Sequence, residues 1–220
     1  MSDITQQNGI QTNGIGYQNG SAKNFGKRVV FNGTQADPMF QIESKVELPQ
    51  LNDGEVLVKV KAATICLSDI HTVCGTRTEP TPSVLGHEAC VEVVAHKRGD
   101  DCDLKPGDRC TFSIADSCGE CEFCTNDLSQ KCVKLFKYGH AHMSNGSGFN
   151  GCYSSHIIIR KGTMMFKLPD QISDSLASSI NCALATMVNC VENLPQNVKK
   201  SKKKALVQVF FLLIYLLLFF

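Results

Sequence analysis

Four cysteines, Cys118, Cys121, Cys124 and Cys132, follow a C-x2-C-x2-C-x7-C spacing, and this run constrains the chain more than any other stretch. Three thiols leave one tight loop, and the longer gap lets the chain double back to bring in a fourth. Four thiolates with no open position make a closed, structural zinc site, with Zn–S distances of about 2.3 Å. Two other readings use closely spaced cysteines. The bacterial iron–sulfur pattern ends in C-x3-C-Pro, whereas here the last gap is seven residues and Val133 follows. A disulfide loop needs an oxidising compartment.

The start of the chain bears on that last choice. Residues 1–27 are polar and rich in Asn, Gln and Gly, with no apolar core of a secretory signal. The twelve cysteines are therefore expected in a reducing cytoplasm, bound to metal or free. Residues 1–24 read as a disordered leader, with Asn-Gly at 8–9, 13–14 and 19–20. A chain of 220 residues fits one or two domains, and 43% hydrophobic content suffices for a core. A net charge of +1 gives no footprint for nucleic acid.

From Lys27 onward the pattern is mainly β, with short helices. Arg28–Phe31, Phe40–Leu48, Glu55–Ala62, Ala89–Ala95, Arg109–Ile114, Tyr153–Arg160 and Met164–Leu168 read as strands separated by turns. In the third, Val56, Val58 and Val60 share one face while Lys59 and Lys61 share the other. Short strands at such intervals suggest a barrel or sandwich. Cys66–His71 opens a short helical turn, and residues 137–151, glycine-rich with two histidines, read as loop. Ser173 or Asp174 is placed to cap a helix in which Leu176, Ile180, Leu184, Met187, Val188 and Val191 recur near helical spacing, until Pro195 ends it. Then a basic run, Lys199–Lys204, precedes an apolar tail at 205–220.

Cys66, His87 and Cys182 lie far apart in sequence, each where an element begins or ends. One His and two Cys are the ligand set of a catalytic zinc with an open fourth position. Taken singly, Cys66 or Cys182 is more often a core filler and His87 fits a hydrogen-bonded core histidine, so none alone supports a site. His96, His140, His142 and His156 are read as structural, as are Cys74, Cys90, Cys102, Cys110, Cys152 and Cys190.

The combination is more specific. Cys66-Leu-Ser-Asp-Ile-His71, Gly86-His-Glu88, Lys105-Pro-Gly-Asp-Arg109, the Cys118–Cys132 loop and Asn181-Cys-Ala-Leu-Ala-Thr186 occur in this order. Together they closely resemble the zinc-containing medium-chain alcohol dehydrogenases, over about residues 25–208. The resemblance implies a GroES-like β-barrel catalytic domain over 25–198, followed in the family by a Rossmann domain for NAD or NADP. It implies two zincs, one held by Cys66, His87 and Cys182, the other by Cys118, Cys121, Cys124 and Cys132. It further implies that Ser68 takes the substrate proton and that His71 forms the outer end of the relay. Asp69 would stand behind a ligand such as His87, Glu88 beside the zinc to assist ligand exchange, and Thr186 near the nicotinamide. The substrate would be a small alcohol or carbonyl compound. Full-length members of the family form homo-oligomers.

The family runs from a strand such as Lys204–Gln208 into a G-x-G-x-x-G turn that meets the pyrophosphate. This chain has no glycine after Gly162, and Gln208 is followed by Val, Phe, Leu, Ile and Tyr only. The expectation is that residues 199–220 hold at most a first Rossmann strand, and that this chain alone has no dehydrogenase activity. Two readings of the tail compete. A transcript running into an intron after Gln208 would yield such Phe- and Leu-rich sequence. A membrane anchor would be short, since the sixteen residues of 205–220 span roughly 24 Å as a helix against about 30 Å of hydrocarbon. An alternative function is a non-catalytic zinc-binding GroES-like domain, with or without membrane association through that tail.

Overall fold

In the computed structural model, residues 24–99 and 101–195 are described; the leader and the 199–220 tail expected from the sequence lie outside them. The alternating strand segments form β1 (Phe25–Phe31), β2 (Phe40–Glu47) and β3 (Val56–Thr64). A short helix α1 (Leu67–Val73) follows, then β4 (Glu88–His96), β5 (Arg109–Phe112) and β6 (Ala115–Asp116). The cysteine loop carries α2 (Glu122–Thr125) and a 3-10 turn (Ser129–Lys131). Next come β7 (Phe136–Lys137), β8 (His156–Ile159), β9 (Met165–Lys167) and α3 (Asp174–Ala177). A π-helical turn (Ile180–Leu184) then leads into α4 (Ala185–Glu192).

The main sheet has the strand order β8-β3-β4-β5-β9 and is antiparallel throughout. The first half of β3 is buried on both faces rather than on one, because a separate apolar cluster covers each face. Val56 and Val58 pack with Val91, Phe112, Tyr138, Ile157 and Ile159, whereas Leu57 packs with Leu48, Leu51, Phe149 and Ile158. The expected in–out alternation appears only after Val58, where Lys59 and Lys61 are exposed. β2 pairs with β1 alone, and Ile42 stays exposed at this edge. The β1–β2 hairpin joins the body through Val29 N–H to Tyr153 O (2.9 Å) and Phe31 N–H to Ser83 O (2.8 Å).

The segment read as loop, 137–151, carries part of the core. Tyr138 is fully buried; its hydroxyl accepts the Arg160 N–H and pairs with Thr163 Oγ1, both at 2.8 Å. A buried phenol needs such partners.

The single helix expected from Asp174 to Leu194 is interrupted. Ser173 does cap its start, accepting the Leu176 N–H. Beyond Ala177, Ser178 and Ser179 turn their hydroxyls to the carbonyls of Ser175 and Leu176 (2.8 and 3.2 Å). Such side-chain bonds compete with helical continuation. Ser178 Oγ also meets Thr64 Oγ1, at the end of β3, at 2.6 Å. The backbone widens there, with Leu184 N–H reaching Ser179 O. Leu176, Leu184 and Val188 remain exposed instead of forming a buried stripe. Among the described residues, no helix is long and apolar enough to cross a membrane.

Candidate metal centre

The cysteine loop is closed at its base by the β6–β7 ladder, where Asp116 accepts the Phe136 N–H (3.0 Å) and pairs with Arg160 (2.8 Å). This clamp brings the ends of the loop together. The Sγ atoms of Cys118, Cys121, Cys124 and Cys132 all lie within 4.8 Å of one another. Individual S···S separations are 3.5 Å (Cys121–Cys124), 3.6 Å (Cys132–Cys118) and 4.0 Å (Cys118–Cys124). A disulfide would require about 2.05 Å, and all twelve cysteines are free. A tetrahedron with metal–sulfur bonds of about 2.3 Å has edges of about 3.8 Å, so the four sulfurs fit one ion. Backbone N–H groups of Cys118 and Lys134 point at Cys132 Sγ, both at 3.3 Å. N–H donors from Val133 and then Cys124 bring the Cys121 thiol down to about 6. Such donors favour thiolates, the form that binds metal.

The second cluster is assembled from three regions. Cys66 ends the link from β3 and caps α1. His87 and Glu88 sit at the entry to β4, both buried. Cys182 projects from the π-helical turn. Ligand atoms of Cys66, His87, Glu88 and Cys182 lie within 4.8 Å of one another. Two thiols, an imidazole and a carboxylate are the donors a zinc-like cation selects. Glu88 Oε2 is buried with no hydrogen-bond partner, an orphan that a cation or its water would satisfy.

The four groups are strongly coupled electrostatically, and a metal would have to displace protons from most of them. A hydrogen bond from Cys182, then one from His87, draws the Cys66 thiol far below its ordinary value, while the same contact with Cys66 drives Cys182 up. Burial lifts Glu88 to about 7. Burial alone would lower His87, but its bonds to Asp69 and Cys66 outweigh this and raise it to about 9.

Asp69, on α1, faces the His87 ring. Its Oδ1 stands 3.5 Å from His87 Nδ1, an ion-pair distance, and that buried nitrogen has no hydrogen-bond partner. Burial would raise the Asp69 pKa, but bonds from His87, Cys66 N–H and Tyr153 hold it below the ordinary value. Asn181 donates to His87 O at 2.8 Å.

Ser68 is half-buried and bonds to Cys66 through both side chain and backbone. His71, one turn further along α1, is exposed, with Nδ1 3.0 Å from Thr76 Oγ1. Thr186, one turn beyond Cys182, is exposed on α4. The fold therefore collects Cys66, His87, Glu88 and Cys182, with Ser68 against them, and leaves His71 and Thr186 at the rim.

One neighbour was not legible. His140, read as structural, packs its ring 4.8 Å from that of His87, with Nδ1 3.3 Å from Glu79. Burial, followed by the charge on His87, lowers its pKa to about 4. Gly139 beside it has φ +74°, and a Cβ there would lie 2.5 Å from Gly86 O. The glycine-rich spacing of 137–151 was the one trace of this close approach.

Residues 52–170 match the model of the alcohol dehydrogenase GroES-like domain. The chain is 33% identical over 144 residues to L-threonine 3-dehydrogenase of Vibrio cholerae, covering 61% of this chain and 38% of that protein. It is 32% identical over 130 residues to zinc-type alcohol dehydrogenase B of Aspergillus flavus, covering 58% and 28%. A crystal structure of an alcohol dehydrogenase from Thermotoga maritima superposes with a TM-score of 0.70 at 26% identity, covering 80% of this chain and 49% of that one. The chain thus spans less than half the length of each of these relatives.

Proposed function

Because the chain belongs to the alcohol dehydrogenase GroES-like domain family, we propose that residues 25–198 form the metal-binding catalytic domain of a zinc-dependent alcohol dehydrogenase that works with NAD or NADP. The observation that carries this is the convergence of Cys66, His87 and Cys182 from three separate regions of the chain. These three hold the catalytic zinc, and Cys118, Cys121, Cys124 and Cys132 hold a structural one. When bound, the catalytic ion supplies the Lewis acidity that favours an ionised alcohol and polarises a carbonyl.

The chain's own residues supply the rest. Ser68 receives the substrate proton close to Cys66, and His71, on the same face of α1, releases it to solvent. Asp69 keeps His87 oriented. Glu88, already lifted toward neutrality by burial, assists exchange of ligands at the open position. Thr186 lies on the side where the nicotinamide enters. The substrate is a small alcohol or carbonyl compound; hydride acceptance belongs to the dinucleotide.

Metal analysis of the purified chain tests the reading. Two zincs per chain are expected, with one lost on Cys182→Ser. A second zinc retained by that variant would sink the assignment.

A further inference from the structure

We infer that Tyr153 is a positioning residue of the His87 metal centre, acting through Asp69. This rests on Cys66, His87 and Cys182 being the ligands.

Asp69 is a buried carboxylate that faces four donors. Oδ1 faces Gly86 N–H at 3.3 Å and His87 Nδ1 at 3.5 Å. Oδ2 accepts Cys66 N–H at 3.0 Å and the Tyr153 hydroxyl at 2.9 Å. Gly86 N–H, Cys66 N–H and the Tyr153 hydroxyl make hydrogen bonds to it, whereas His87 Nδ1 faces it at ion-pair distance with no hydrogen bond of its own. Two of the donors are backbone groups of Cys66 and of Gly86, the residue before His87. The Tyr153 hydroxyl is the one side-chain donor other than His87 itself, and it makes the shortest contact of the four.

The phenol is fixed by backbone packing. Tyr153 N–H donates to Leu85 O (3.0 Å), and Tyr153 O accepts Val29 N–H (2.9 Å). The ring lies against Gly86, whose φ is +88°; a Cβ there would stand 2.8 Å from Tyr153 Cδ1 and Cε1. Gly86 thus clears the space through which the hydroxyl reaches Asp69, immediately before His87. Loss of that hydroxyl leaves Oδ2 short of a donor in a buried site, and the carboxylate is freed to rotate away from His87. Partners standing behind a metal ligand in this way typically tune affinity by about 10–100-fold.

The test is cobalt(II) titration of the full 220-residue protein. The two sites are told apart with His87→Ala and Cys121→Ser. Tyr153→Phe keeps the ring against Gly86 and is expected to weaken the His87 site about tenfold or more, leaving the four-cysteine site unchanged. Asp69→Asn is expected to weaken the same site, and the double variant to be no weaker than Asp69→Asn alone. Cobalt affinity at the His87 site within about twofold of wild type in Tyr153→Phe overturns the proposal. So do fully additive losses, or parallel weakening of both sites, which marks a merely structural role. A wild-type protein that binds a single cobalt, or His87→Ala that keeps both, overturns the ligand assignment itself and is read from different samples.

Discussion

Asn181 donates its side-chain amide to the main-chain carbonyl of His87 at 2.8 Å, tying the turn that bears Cys182 to the strand entry that bears His87. Two proposed ligands distant in sequence, His87 and Cys182, are thereby held at a set spacing by a bond that involves neither donor atom. Asn181→Leu removes the donor and leaves a buried carbonyl unpaired. The expected loss is about 1–3 kcal/mol of stability, together with weaker binding at the His87 site and unchanged binding at the four-cysteine site. Urea denaturation and metal titration of the same variant measure the two effects.

The four-cysteine loop is a self-contained unit clamped by β6 and β7. Cys121→Ser is expected to release one zinc while the Cys66–His87–Cys182 site keeps its own. The loop between Cys118 and Cys132 has no buried residue within its short helices to hold it otherwise. Limited proteolysis is therefore expected to cut there in the variant, or in chelator-treated wild type, and to spare the zinc-loaded protein.

Gly86 packs against Tyr153 in a conformation with φ +88°. Gly86→Ala meets both the positive φ and the ring 2.8 Å away. A destabilisation of about 1–3 kcal/mol is expected, with loss of affinity at the adjacent His87 site. Thermal unfolding read against the Gly99→Ala variant, where a Cβ meets nothing within 4 Å, checks it.

Asp174 pairs with Arg109 (2.7 Å), accepts from Cys90 Sγ (3.5 Å) and feels the charge of Lys61. Burial alone would raise its pKa; the Arg109 and Cys90 contacts outweigh this and lower it from 3.8. A carboxyl lowered in the folded state stabilises it fully above the ordinary value, and the effect fades as pH falls through the lowered one. Asp174→Asn is therefore expected to be less stable than wild type at neutral pH, with the gap shrinking once the pH drops below 3.8. Denaturation midpoints at neutral and acid pH supply the comparison.

The two metal clusters were legible in the sequence to different degrees. Cys118, Cys121, Cys124 and Cys132 announce themselves by spacing, because one contiguous loop supplies every ligand. Cys66, His87 and Cys182 carry no local signal, and only their order among family motifs singled them out. The strands were legible from alternation, except at Leu57, where burial on both faces of a central strand erases the pattern. The helix through Leu194 was legible as periodicity, yet the Ser178 and Ser179 hydroxyls, bonded to the Ser175 and Leu176 carbonyls, compete with its continuation.

The sequence by itself determined the mainly β class and the position of most strands, which follow from periodicity and turn residues, and the family, which follows from the order of its motifs. Only the tertiary structure decided that His140 lies against His87, that Tyr153 completes the shell of Asp69, and that a widened turn presents Cys182. These are contacts between segments remote along the chain. The first two depend on how the glycines at 86 and 139 let chain segments approach, a matter of packing that no local pattern encodes.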